Sequence, residues 1–70
     1  GAFLVSASCA EGKVDQVSIV SEAGSQLRVI KPWKAGVRVV TNGGAQIVRE
    51  ELIDIPTQVG ETITLRPLEE

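Results

Sequence analysis

The chain predicts an all-β fold, a small antiparallel β-sandwich of six to seven short strands. Three observations carry this. Apolar residues recur with a period of two in most segments, the spacing that turns one face of a strand inward. No stretch repeats apolar residues at the period of a helix. Gly, Pro and Asn-Gly turn signals interrupt the chain at roughly 8–12-residue intervals, as in sandwiches and small barrels.

In the first strand Phe3, Val5, Ala7 and Cys9 alternate with Leu4, Ser6 and Ser8. Glu11-Gly12-Lys13 supplies a turn, because Gly12 takes a positive φ without steric cost. Val17 and Ile19 continue the inward set in a second strand running to about Glu22. Val14 is out of phase with Val17, which predicts a bulge or an irregular entry there. Ala23-Gly24-Ser25 turns the chain into a strand over Gln26–Lys31, with Leu27 and Val29 on one face and Arg28 and Ile30 on the other. Residues 31–36 (Lys-Pro-Trp-Lys-Ala-Gly) form a loop, since Pro32 cannot donate to a ladder.

Val37–Thr41 is β-branched and short. Asn42-Gly43-Gly44 is the strongest local signal: Asn-Gly tolerates the left-handed backbone of a tight hairpin, so Ala45–Arg49 should return antiparallel. A weaker strand over Glu50–Ile55 ends at Pro56, and Gly60 precedes a last strand over Glu61–Arg66. Pro67 stops it, leaving Leu68-Glu69-Glu70 as a solvated tail.

Composition narrows the function. Seventy residues make a single domain, too short for a doubly wound sheet with a deep cleft. Such a chain hides only about 60% of the surface its unfolded form exposes. With one cysteine it has no intrachain disulfide, so its stability should be only a few kcal/mol. The Gly-Ala-Phe opening and the absence of Met fit either a processed chain or, the favoured reading, a fragment of a longer protein. There is no histidine, which removes imidazole catalysis, and no apolar run long enough to span a bilayer. Net charge is −2 and the basic residues are spread singly, which argues against nucleic acid as partner.

Candidate chemistry is sparse. Ser6, Ser8, Ser18, Ser21 and Ser25 have no base to activate them, and Cys9 shares the strand parity of Phe3 and Val5, so it should be a small buried side chain. Glu50 and Glu51 are adjacent and would face opposite ways in a strand, so they cannot act as paired carboxylates. No metal-ligand spacing occurs, and no cofactor is expected. Trp33 lies in its loop between Lys31 and Lys34; it either anchors that loop onto a core or neighbour, or offers an indole face for stacking on a sugar ring.

The outer parity of the strands is unexpectedly aliphatic. Leu4, Val20, Ile30 and Val40, with Val48 at the margin, are mixed with Ser, Gln, Thr and Arg. Either each strand simply shows one surface aliphatic, or these residues and the Trp33 loop form one contiguous patch of a few hundred Å2 that lies against another domain or subunit.

The order Phe3-x-Val5-x-Ala7, Gly12-Lys13-Val14, Val17-x-Ile19-x-Ser21, Ala23-Gly24, Leu27-Arg28-Val29 and Pro32-Trp33, closed by Gly60-Glu61-Thr62-x-Thr64-Leu65, resembles a known small domain. It is similar to the C-terminal β-sandwich of bacterial α-L-fucosidase-type glycoside hydrolases (family ninety-five and relatives). The likeness spans nearly the whole chain and departs from the family at Cys9-Ala10 and Ser25-Gln26. It implies a non-catalytic accessory domain whose partner is an (α/α)6 catalytic domain of the same polypeptide, in an enzyme that is periplasmic or secreted. None of the family's active-site motifs occurs here, so no catalytic residue carries over. Two other readings stand beside it: a carbohydrate-binding module resting on Trp33, and an unrelated interaction domain or homo-oligomer joined through the stripe or an unpaired edge strand.

Overall fold

A computed structural model describes residues 2–31 and 33–68 of the chain. Pro32 and the tail residues Glu69-Glu70 lie outside the described residues. Among the described residues seven strands form: β1 (Phe3–Ala10), β2 (Lys13–Ser21), β3 (Leu27–Ile30), β4 (Val37–Thr41), β5 (Gly44–Val48), β6 (Leu52–Ile55) and β7 (Thr62–Pro67). All pairings are antiparallel. One sheet has five strands in the order β1-β2-β7-β4-β5, and the other pairs β3 with β6. The fold is therefore the expected small antiparallel β-sandwich, with one sheet far wider than the other. Its 33 Å long dimension is close to the length of the nine-residue β2.

Period-two alternation sets the core. Ile19, Ile63, Leu65, Val37 and Val39 project from the inner face of β2, β7 and β4, and Leu27, Ile53 and Ile55 meet them from the small sheet. Each such side chain contributes about 1.5–3 kcal/mol when fully removed from water. The last strand in sequence, β7, lies between β2 and β4, so the sheet closes only when the C-terminal strand inserts.

The turns follow local chemistry with one exception. Ala10 pairs with Lys13, and both intervening residues have positive φ, 54° at Glu11 and 77° at Gly12. That is the mirror-image turn whose twist suits a two-residue hairpin. The predicted irregularity at Val14 is present: Ser8 pairs with Gln16 but Cys9 pairs with Val14, leaving Asp15 as the extra residue. The β4–β5 hairpin forms where Asn42-Gly43 predicts it, but not with the predicted backbone. Asn42 and Gly43 stay out of the left-handed region and Gly44 takes φ 132° instead. The Thr41 hydroxyl, accepting from the Gly43 N–H at 3.2 Å, holds this alternative turn.

Parity predicted which side of β1 faces the core, but not whether anything covers it. Phe3 is half-buried, while Val5, Ala7 and Cys9 are exposed. The buried role expected for Cys9 is thus corrected: the core of the large sheet rests on β2, β7 and β4, and on β1 it takes in only Phe3, leaving the Cys9 end of the strand uncovered. Val48 is also corrected, because its partner Val37 is in the core and Val48 packs inward against it.

Candidate functional site

The polar groups most open to a catalytic reading are committed to holding the turns. Glu61 is 7% exposed, and its carboxylate accepts the Gln58 N–H at 2.9 Å and the Asn42 N–H at 3.1 Å. Its own N–H donates to the Gln58 carbonyl at 3.0 Å, and its carbonyl accepts from the Ser21 N–H at 2.9 Å. One side chain therefore joins the β6–β7 turn to the β4–β5 turn beside the end of β2. The hydroxyls of Ser21 and Thr57, both buried, lie 2.7 Å apart. Thr57 also donates to the Ser25 carbonyl, and the Gly24 N–H donates to Ser21 Oγ at 3.0 Å.

The sequence reading missed Glu61 and Thr57. A signal existed for Ser21: it continues the inward parity of Val17 and Ile19, where a polar side chain needs a buried partner.

A hollow of about 330 Å3 beside the β4–β5 hairpin is lined by Thr41, Gly43–Gln46, Ile55 and Pro56, with no ionisable group. A neighbouring hollow of about 360 Å3 contains Glu61, whose two carboxylate oxygens already accept main-chain hydrogens. Among the described residues no group of three His, Cys, Asp or Glu side chains is placed to hold a metal. Among the described residues no helix is long and apolar enough to cross a membrane.

The candidate interface residues do not form one patch. Leu4, 58% exposed, sits directly opposite half-buried Val20 on the outer face of the large sheet. Val40 is exposed on that same face, beyond β7, and pairs with Thr64. Ile30 belongs to the small sheet, on the opposite side of the sandwich, and pairs there with exposed Leu52. Trp33 joins neither group. It is half-buried, packs against the core, and its Nε1 donates to the Val14 carbonyl at 3.2 Å. Lys31 Nζ closes the same loop on the carbonyls of Trp33 and Lys34, at 3.2 and 2.7 Å.

A different apolar surface emerges from the mismatch in sheet width. On the core-facing side of the β1–β2 arm, Val5 is 67% exposed and Val14 is 40% exposed. Ala7 and Cys9 are exposed with them, and half-buried Phe3 and Val17 connect this stripe to the core. The large sheet thus carries core-type side chains past the limit of its own core.

No protein-family model, curated protein or solved structure matches this chain.

Proposed function

We propose that the chain is a non-catalytic accessory domain that packs against and stabilises a larger neighbouring domain. By the likeness of its motifs, that neighbour is the catalytic domain of an exported α-L-fucosidase-type glycoside hydrolase. The observation that carries the reading is the uncovered stripe on the core-facing side of β1 and β2. Val5, Ala7, Cys9 and Val14 have the composition and facing of interior residues without a layer over them. An apolar surface continuous with the core is stabilised by a neighbour that supplies the missing layer.

The test is binding in trans to an isolated family ninety-five-type catalytic domain, read by calorimetry and by the rise in melting temperature of the mixture. The expected result is a complex that Val5→Asp with Val14→Asp abolishes. Both side chains are exposed, so the isolated fold should change by no more than about 1 kcal/mol. A complex indifferent to the double substitution would refute this docking face. A carbohydrate-binding role makes a different prediction: glycan-panel affinity that disappears with Trp33→Ala. The indole's packing and its hydrogen bond to Val14 favour the anchoring role instead.

A further inference from the structure

The two edges of the large sheet are unlike. β5 is five residues long and runs directly into Arg49, Glu50 and Glu51. β1 is eight residues long, with no charged residue or proline from Phe3 to Ala10. Protein edges are ordinarily shortened, charged, bulged or covered against strand pairing. None of these devices protects β1, since the bulge's extra residue, Asp15, is on β2.

The phase of the ladder shows which main-chain groups are free. The Glu22 N–H donates to the Ala2 carbonyl at 2.8 Å, and Ser21 turns its N–H the other way, to Glu61. In an antiparallel ladder this alternates, so Leu4, Ser6 and Ser8 direct their N–H and C=O groups to β2. Phe3, Val5, Ala7 and Cys9 direct theirs to the open edge. β1 is also graded in size, with Phe3, Leu4 and Val5 at one end and Ala7, Ser8, Cys9 and Ala10 at the other.

We infer that this edge pairs with a second copy of the chain, antiparallel about a twofold axis at Ser6, to make a continuous ten-stranded sheet. That register uses every free group: Phe3 pairs with Cys9 of the second copy and Val5 with Ala7, forming about eight main-chain hydrogen bonds. It sets large beside small on both faces, including Leu4 beside Ser8 of the second copy. Ala10 falls opposite Ala2, so Lys13 of one copy and Glu22 of the other end the same row, opposite charges about 14 Å apart. A twofold pairing closes on itself, whereas β1 on β5 would propagate without end. This inference is independent of the proposed docking role, which uses the face of β1 rather than its edge.

Sedimentation of the 70-residue chain from about 5 to 500 μM tests it, a range that brackets the micromolar affinity expected of a small interface. The expected behaviour is a monomer–dimer equilibrium. Val5→Pro removes an N–H that β2 does not use and should weaken the dimer at least tenfold. Val5→Lys, at a largely exposed side chain, should do the same and decides the matter if the proline variant fails to fold. In a Cys9→Ala background, Ser6→Cys should oxidise to a covalent dimer, because a non-hydrogen-bonded pair at the axis brings Cα atoms to about 4.5 Å. Ser8→Cys in that background should not, its two copies lying about 14 Å apart. A monomer across the whole range, open-ended polymers, or a dimer indifferent to both Val5 substitutions would each overturn the inference.

Discussion

Replacing Glu61 by alanine should cost this domain a large share of its stability. Its carboxylate accepts two main-chain hydrogens from two different turns, and the residue is 7% exposed. Hydrogen bonds to charged groups are worth about 1.5–3 kcal/mol each. Asn42 and Gln58 are exposed, so water can reach the abandoned donors, which places the pair at the low end, about 3 kcal/mol together. At about 4–8 °C per kcal/mol for a domain of this size, the melting temperature should fall by roughly 12–24 °C. Glu61→Gln keeps one acceptor oxygen but turns an amide donor toward the other N–H, so its cost should be roughly half. Urea unfolding followed by circular dichroism reads both variants. Glu61→Ala within about 0.5 kcal/mol of the parent chain would refute the reasoning, as would equal costs for Ala and Gln.

Four further outcomes follow from local geometry. Ser21→Ala and Thr57→Val should each destabilise by about 1–3 kcal/mol in urea melts, and the double variant by clearly less than the sum, because the hydroxyls satisfy each other. Glu11→Asn should stabilise by about 0.5–1 kcal/mol in thermal melts, since Glu11 holds φ 54° and Asn tolerates that region better. Gly36→Ala should cost at least about 2 kcal/mol: φ is 122°, and a Cβ would lie 2.9 Å from Leu68 Cδ1 and 3.2 Å from the Val48 carbonyl oxygen. Arg66→Glu should raise the melting point at low salt by the equivalent of about 0.5 kcal/mol and lose that gain near 1 M salt. It replaces a like-charge pairing with Arg38 on two exposed positions.

Local chemistry was legible where it is local. The alternation of Leu27-Arg28-Val29-Ile30 gave the correct inward pair, and the phase of Val14 announced the bulge. Glu11-Gly12-Lys13 announced a turn through the freedom of Gly12, and the structure closes it as a two-residue hairpin with Lys13 already paired to Ala10. Asn42-Gly43 shows the limit of that reasoning. The Thr41 hydroxyl and the freedom of Gly44 support a second turn geometry that the dipeptide alone does not reveal. Cys9 shows a deeper limit. Parity fixes which side of a sheet a residue faces, but burial requires another layer there. Because β7 inserts between β2 and β4, the wide sheet carries β1 at its far edge, out of reach of β3 and β6. Nothing within residues 3–10 records that long-range arrangement.

The face and the edge of β1 are unsatisfied in physically different ways, and this decides how strongly each can hold a partner. Water hydrogen-bonds a free edge nearly as well as another strand does, so each pairing bond adds only about 0.5–1.5 kcal/mol net. About eight such bonds are comparable with the roughly 4–15 kcal/mol lost in immobilising one molecule on another. Edge pairing alone is therefore marginal, and its strength depends on the apolar contacts that accompany it: Phe3 against Cys9 and Val5 against Ala7. Water cannot satisfy the exposed face in the same sense, since removing apolar area from water stabilises by about 25 cal/mol per Å2 whatever covers it. The face consequently tolerates many partners and the edge is selective for geometry. A proline at Val5 acts on the edge while retaining an apolar side chain, whereas an aspartate there charges the face and leaves the main-chain donor intact. Proline at Val5 should therefore break the edge pairing while sparing a complex held by the face, whereas aspartate, which also removes the Val5–Ala7 contact, should weaken both.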